Sequence, residues 1–428
     1  MKLKAIKRKL IISPLVKLAR RYKIFRSARH IYKLGRNTAL SYLYKLYKID
    51  DQQIVFEVFM GRSYSDSPKA LYEEMLKDPQ FQDFKFVWVA KNPKNLDHLT
   101  TNKNTTLVKQ RSPGYYKACA QSKYIITNSM LPPLVKKKKG QKFLQTWHGT
   151  PLKLLRLDLY KDYKGAVKDY DDMVKTNKLD TSRYDGFISP SKYCTKKFTS
   201  AFGLKELGKE DIIIEEGYPR NDYLFKYTQS DVNAVKKRFG IPKNKKVILY
   251  TPTWRDNQHE DGVGYTFKNE MDFDYMRDQL GDEYVILYRP HYFVANQFDF
   301  DKYKGFIYQA TALDDSNDLY IITDMLITDY SSAFFDYAIL GKPMLFFAYD
   351  IEEYRDNLRG FYFDMETLPG DITKSEKDIV AALKDLGKYN KKHKKAYANM
   401  TKKFNHLDDG NASKRVIDKF FNNNEEEK

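Results

Sequence analysis

The chain has 428 residues, 42% of them hydrophobic and 15% aromatic, which is longer than one core usually spans and too apolar for a disordered segment. Its net charge of +19 is unevenly spread, because residues 1–50 hold fifteen Lys and Arg against one acidic residue while the rest is nearly balanced. Two cysteines, Cys119 and Cys194, exclude a disulfide scaffold and fit a reducing compartment, and no apolar run approaches the roughly 18–20 residues of a membrane span.

Residues 1–50 interleave cations with Leu, Ile, Tyr and Phe, as in Leu15-Val16-Lys17-Leu18-Ala19-Arg20-Arg21 and Tyr42-Leu43-Tyr44-Lys45-Leu46-Tyr47. This spacing predicts an amphipathic helical arm on an anionic membrane, with the tyrosines at the interface. An arm packed on its own body and a nucleic-acid-binding tail are the alternatives. The run Lys136–Lys139 reads as a solvated loop that adds to the same positive field.

From residue 52 short apolar runs alternate with helical stretches. Strands are expected at Ile54–Phe59, Phe84–Ala90, Tyr124–Thr127, Phe143–Trp147, Phe187–Ser189 and Ile212–Glu216, with a helix from Pro68 to about Leu76. After a polar helix at Ser230–Gly240 a second series follows, at Val247–Tyr250, Tyr284–Tyr288, Phe306–Tyr308, Met325–Thr328 and Met344–Phe347. The alternation predicts an α/β chain with two parallel sheets, each covered by helices. The expected division is a basic arm over 1–50, a first α/β domain over 51–228, a second over 229–390 and a charged helical tail over 391–428. Two such domains facing each other make a cleft at their strand ends.

Several strand ends carry chemistry. The run Thr146-Trp147-His148-Gly149-Thr150-Pro151 puts an imidazole, the side chain best suited to moving a proton near neutral pH, directly after a strand. A packing histidine is the plainer reading of His148 taken alone. In the second half, Thr251-Pro252-Thr253-Trp254-Arg255 and Arg289-Pro290-His291 follow two strands and bring cations and a second imidazole. The run Thr328-Asp329-Tyr330-Ser331-Ser332 ends a strand and opens a helix reaching about Leu340, stopped by Gly341-Lys342-Pro343. Free N–H groups and two hydroxyls at a helix start suit an anion, and Asp336, one turn on, suits ribose hydroxyls. Arg–His–Ser-Ser on three strand ends reads as a diphosphate site for a nucleotide-activated donor. Neither a Walker lysine motif nor GxGxxG occurs, and no Cys/His cluster or HExxH suggests a metal, so neither metal nor cofactor is expected. Asp171-Asp172 and Asp314-Asp315 read as solvent-facing pairs.

Five runs together, His148-Gly149-Thr150-Pro151-Leu152-Lys153, Gly217-Tyr218-Pro219-Arg220-Asn221-Asp222, Thr251–Arg255, Arg289-Pro290-His291 and Thr328–Ser332, resemble the CDP-glycerol glycerophosphotransferases of teichoic-acid synthesis in Gram-positive bacteria. The resemblance spans about residues 54–390. It implies a GT-B-like fold of two Rossmann-like, doubly wound domains and a peripheral enzyme on the cytoplasmic face of the membrane. It implies transfer of glycerol phosphate from CDP-glycerol to a hydroxyl of an undecaprenyl-diphosphate-linked acceptor. It also implies that His148 acts as base while His291, Ser331 and Ser332 hold the donor phosphates. The candidate catalytic residues are therefore His148 and His291. The candidate substrate-binding residues are Gly149, Thr150, Arg255, Arg289, Asp329, Ser331, Ser332 and Asp336. Nucleic acid is not an expected partner. Ribitol phosphate transfer, a GT-B glycosyltransferase using a nucleotide sugar, and a non-enzymatic basic binding protein remain the alternatives. Primase and polymerase are not separated by the sequence.

Overall fold

The structure, a computed structural model, describes residues 44–159, 170–253, 259–260, 264–265, 271–289, 298–311 and 314–422. Two open sheets organise it. The first holds β1 (Asp50–Glu57), β2 (Lys85–Ala90), β3 (Thr105–Lys109), β4 (Ser122–Thr127), β5 (Lys142–Gln145), β6 (Gly186–Ser189) and β7 (Ile213–Glu215), in the order β3-β2-β1-β4-β5-β6-β7. Every described pairing in it is parallel. The second sheet holds β8 (Lys246–Thr251), β11 (Tyr284–Tyr288), β12 (Ile307–Gln309), β13 (Met325–Thr328), β14 (Met344–Phe347) and β15 (Ile372–Thr373), in the order β12-β11-β8-β13-β14-β15, again parallel. Between β8 and β11, β9 (His259–Glu260) and β10 (Gly264–Tyr265) pair as a small antiparallel ribbon.

The strands are apolar on both faces because helices cover both faces. Val247, Ile248 and Leu249 are fully buried, and alternate residues enter two separate clusters, one on each side of the second sheet. The first sheet divides its strand residues in the same way, with Ile54 and Phe56 on one side and Val55 on the other. This is the expected GT-B-like architecture. The strand β3 was not foreseen because Thr-Thr-Leu-Val-Lys is too short and polar at its start to stand out. The edge strand β15 has only two residues.

The chain passes to the second sheet through a 3₁₀ segment, Pro219–Phe225, and the helix Gln229–Phe239. A reciprocal capping box of Thr228 and Asp231 opens that helix, and Gly240 closes it in the left-handed conformation. The return path differs from expectation. The division at residue 390/391 falls inside one helix, Leu386–Phe404, and the chain then crosses back. The helix Ala412–Ile417 packs on the first sheet, where Val416, Ile417 and Phe420 join its core, and Asp222 holds its start by accepting from the amides of Ala412 (2.9 Å) and Ser413 (2.8 Å). An apolar face on a charged sequence was read as an appended tail, whereas burial of that face decides its place.

Residues 1–43 of the basic arm lie outside the described residues. At the end of the arm Tyr44 packs on the body, while Leu46 two residues on is exposed. Tyr44 is buried and donates to the Cys119 carbonyl at 3.1 Å, and Lys138 donates to the Tyr47 carbonyl. Lys137 pairs with Asp185, so the Lys136–Lys139 run is not wholly solvated. No described helix is long and apolar enough to cross a membrane.

Candidate active site

An open parallel sheet presents ligands at the point where its strand order reverses. In the first sheet that point lies between β1 and β4, and in the second between β8 and β13. A cavity of about 1320 Å³ lies there, walled by loops that follow β1, β2, β5, β8, β11 and β13. Its first-sheet wall includes Phe59, Asp66 and His148, and its second-sheet wall includes Arg289, Ser331 and Ser332.

His148 follows β5 by way of Trp147, whose φ of +51° is strained for so bulky a residue. The other non-glycine residues with positive φ among the described residues also follow first-sheet strands: Phe59, Met60 and Asp66 after β1, Arg111 after β3 and Arg156 after β5. The imidazole is fixed on three sides. Its Nδ1 lies 2.8 Å from the Asn128 carbonyl, the Phe59 ring packs edge-on at 5.6 Å, and the Trp147 ring lies at 4.1 Å. A carbonyl only accepts, so Nδ1 carries the proton and Nε2 keeps its lone pair. Desolvation by the cleft walls lowers the His148 pKa from the ordinary imidazole value, against an upward pull from the Asp66 carboxylate, although the side chain itself stays open to the cavity. The lowered pKa favours the neutral ring, in which Nε2 is the basic nitrogen.

Asn128 itself is held by its side chain. It donates to Asp66 at 2.8 Å and accepts from the Phe59 amide at 2.8 Å. Asp66 in turn accepts from Arg220 at 3.1 Å, and the other nitrogen of that guanidinium reaches Asp336 of the second wall at 3.0 Å. Arg220 thus ties the two walls together from below the cavity. Asp336, expected to meet ribose hydroxyls, lines the cavity but holds Arg220 with both oxygens at 3.0 Å and accepts from Asn221 with one of them. Burial raises its pKa, and the Arg220 charge pulls it back.

The serines stand where the helix Ala333–Tyr337 begins, and its last turn, Ala338–Leu340, ends at the left-handed Gly341. Ser331 Oγ accepts from the Ala333 amide at 3.3 Å, while the Ser332 side chain makes no capping bond. Gly149 is the point where the walls meet: a Cβ added there would stand 2.7 Å from Ser332 Oγ. Only a glycine lets the backbone beside His148 approach the serine pair so closely. Arg289 lines the cavity with its guanidinium braced by Ser316 Oγ (2.7 Å) and the Asp314 carbonyl (3.0 Å). Asp314 and Asp315, expected to face solvent, line the cavity as well, and Asp315 pairs with Lys69 at 2.9 Å.

Two candidates are placed differently from expectation. Thr150 is buried behind the first wall, where its hydroxyl meets Cys194 Sγ at 3.6 Å. Asp329 is buried behind the second, accepting the Thr253 amide at 2.8 and 2.9 Å through its two oxygens. Both hold the loops rather than reach into the cavity. Arg255 and His291 lie outside the described residues. Asn128, Asp66 and Phe59 were missed as supports of His148. The polar trio Thr127-Asn128-Ser129 after an apolar strand was the available signal.

A family model described as CDP-glycerol:poly(glycerophosphate) glycerophosphotransferase matches residues 40–422. The teichoic acid poly(glycerol phosphate) polymerase of Bacillus subtilis (strain 168) is 38% identical over 86% of this chain and 48% of that protein, so the chain spans about half the length of that relative. The teichoic acid glycerol-phosphate transferase of Staphylococcus aureus (strain NCTC 8325 / PS 47) is 37% identical over 86% of this chain and 92% of that protein. Among solved structures, a variant of the wall teichoic acid polymerase TagF soaked with CDPG superposes with a TM-score of 0.81, at 35% identity over 94% of this chain and 98% of that one. On the match across both sheets and the cavity between them, the chain belongs to the CDP-glycerol:poly(glycerophosphate) glycerophosphotransferase family.

Proposed function

We propose that the chain transfers glycerol phosphate from CDP-glycerol to a hydroxyl of a prenyl-diphosphate-linked acceptor in the synthesis of teichoic acid or a related surface polymer, releasing CMP. The observation that carries this reading is the meeting of an oriented His148 with the Ser331–Ser332 helix start across one cavity, where Gly149 closely approaches Ser332. His148 Nε2 takes the proton of the acceptor hydroxyl as that oxygen attacks the phosphorus bearing glycerol. The bond from this phosphorus to the bridging oxygen breaks, and CMP departs with that oxygen. Ser331 and Ser332, with the helix amides, bind the donor phosphates and stabilise the charge that develops on the leaving group. In this reading Arg289, Arg255 and His291 complete the cradle. The basic arm over residues 1–50 holds the enzyme peripherally on an anionic, cytoplasm-facing membrane surface.

Incubation of the full chain with glycerol-labelled CDP-glycerol and a prenyl-diphosphate disaccharide tests this reading. Equal amounts of CMP and of acceptor enlarged by glycerol phosphate are expected. Release of a nucleoside diphosphate from a nucleotide sugar, with no CMP from CDP-glycerol, would replace the proposal with glycosyl transfer.

A further inference from the structure

A buried arginine stands where the chain first crosses between the sheets. Arg220 lies in the 3₁₀ segment Pro219–Phe225, is 7% exposed, and lines the cavity. Its carbonyl accepts from Asn317 Nδ2 at 2.5 Å, and its guanidinium lies over the Tyr218 ring at 4.2 Å. The guanidinium divides between two buried carboxylates. One nitrogen donates to Asp66 at 3.1 Å and another to Asp336 at 3.0 Å, while Nε is buried with no partner. Buried donors are ordinarily all satisfied, and a buried ion group adds little to stability over apolar residues of the same size. This one forgoes a hydrogen bond at Nε and keeps the two that reach in different directions.

Each carboxylate belongs to a different part of the site. Asp336 is part of the helix that opens at Ser332. Asp66 begins the helix Asp66–Met75, and its second oxygen accepts from Asn128 Nδ2 at 2.8 Å. Asn128 in turn presents its carbonyl to His148 Nδ1 at 2.8 Å. An unbroken path of hydrogen bonds therefore runs from the serine-bearing helix through Arg220 to the imidazole. The planar fork of a guanidinium lets one side chain span both carboxylates, whereas a lysine ammonium is a point charge on a flexible stem.

We infer that Arg220 is a positioning residue, which sets the place of the His148 ring relative to the Ser331–Ser332 helix start by holding Asp66 and Asp336 at a fixed separation. The inference rests on the transfer reaction proposed above. The base and the phosphate cradle stand on different sheets, and a misplacement of about 1 Å between reacting groups costs on the order of 10²-fold in rate. Arg220 also acts on the ring through its charge. Beyond desolvation, which lowers the His148 pKa, Asp66 pulls it up while Arg220 and Arg156 push it down. Arg156 stands on the loop that follows His148, over the Trp147 ring at 5.4 Å, and donates to Asn177 at 2.6 Å.

The test compares wild type with Arg220→Lys, Arg220→Gln and Asp66→Asn, asparagine being tolerated at the left-handed φ of +63° that Asp66 adopts. Arg220→Lys keeps the charge but loses the span, so kcat is expected to fall by roughly 10–100-fold. CDP-glycerol affinity by calorimetry and the acid limb of kcat/KM are expected to hold. Arg220→Gln should lower kcat as far and move the acid limb to higher pH, because a charge that opposes protonation is gone and Asp66 is left unopposed. Asp66→Asn should lower kcat and move the limb to lower pH. A tie that serves folding alone predicts a lowered melting temperature with wild-type kcat in the folded enzyme. Wild-type kcat in Arg220→Lys, or a fall matched by an equal loss of donor affinity, overturns the inference. Should neither Arg220 variant fold, Asp66→Asn decides: lowered kcat at intact donor affinity supports the inference, and wild-type kcat overturns it. Should wild type release no CMP from CDP-glycerol with any prenyl-diphosphate acceptor, the transfer reading fails instead. Positioning is then judged on the ring itself, by NMR of protein with isotope-labelled histidine, in which the His148 signal is the one lost in His148→Gln. An Nδ1-protonated ring in wild type and a mixture of tautomers in Arg220→Lys supports the inference, and the same tautomer in both overturns it.

Discussion

The polar groups around His148 and those of the serine pair are treated in opposite ways. Around His148 on the first-sheet wall a chain of groups is tied down before a substrate arrives: His148 to the Asn128 carbonyl, Asn128 to Asp66 and the Phe59 amide, Asp66 to Arg220. On the second-sheet wall the Ser332 hydroxyl makes no capping bond, and Ser331 only accepts from the Ala333 amide, which leaves its own proton to donate. A base must present one lone pair in one direction, so its surroundings fix a tautomer and a ring plane. A phosphate cradle must offer donors, so its surroundings leave them unspent. The difference separates a wall built for aim from a wall built for capacity.

The largest effect expected from breaking the comparison is at His148. His148→Ala should lower turnover by about 10²–10⁴-fold while CDP-glycerol affinity, measured by calorimetry, holds. Turnover near that of wild type would remove the residue from the chemistry. The double change Ser331→Ala with Ser332→Ala should weaken donor binding and slow turnover together, by roughly tenfold or more in each, because the hydroxyls meet the diphosphate in ground and transition states. A variant that loses turnover but keeps full donor affinity would mean that the second wall also works by aim.

Gly149→Ala probes where the walls meet. Its methyl carbon would crowd Ser332 Oγ at 2.7 Å and Ser332 Cβ at 3.1 Å, so the walls must separate or the serine must turn. Turnover is expected to fall several-fold with little loss of thermal stability, and unchanged kinetics would show that the approach has slack. The smallest effect is a displaced pH limb. His148 works only unprotonated, so kcat/KM falls as pH drops through its pKa. Burial holds that pKa below the ordinary value of about 6.5, which places the acid limb below that pH. A limb at or above the ordinary value would mean that the Asp66 carboxylate outweighs burial.

Much of this was legible in residue order. Runs such as Tyr-Val-Ile-Leu-Tyr at β11 declare a strand buried on both faces, and the abrupt change to Arg289 marks its end. His148 and the serine pair were legible because strand ends in such folds are where ligands bind. What the sequence withheld depends on contacts between distant residues. Thr150 and Asp329 sit in the same loops as true lining residues, and only the turn of the backbone decides that their side chains are buried. Arg220, about 150 positions from Asp66 and about 115 from Asp336, joins both through one guanidinium, a pairing that no local pattern encodes. The inward packing of Tyr44 was hidden for a related reason, since a tyrosine suits a lipid interface and a protein crevice equally well.

The crossing of the chain's last helix back to the first sheet bears on how the protein is made. Leu144, Ile188 and Ile214 bury their side chains partly against Val416, Ile417 and Phe420. About 200 residues separate Ile214 from Val416, so at roughly 5–20 residues per second the first sheet waits some 10–40 s on the ribosome for its final layer. During that interval an apolar patch on the earlier half stands open to water while the later half is still being synthesised. The half made first is therefore the half completed last.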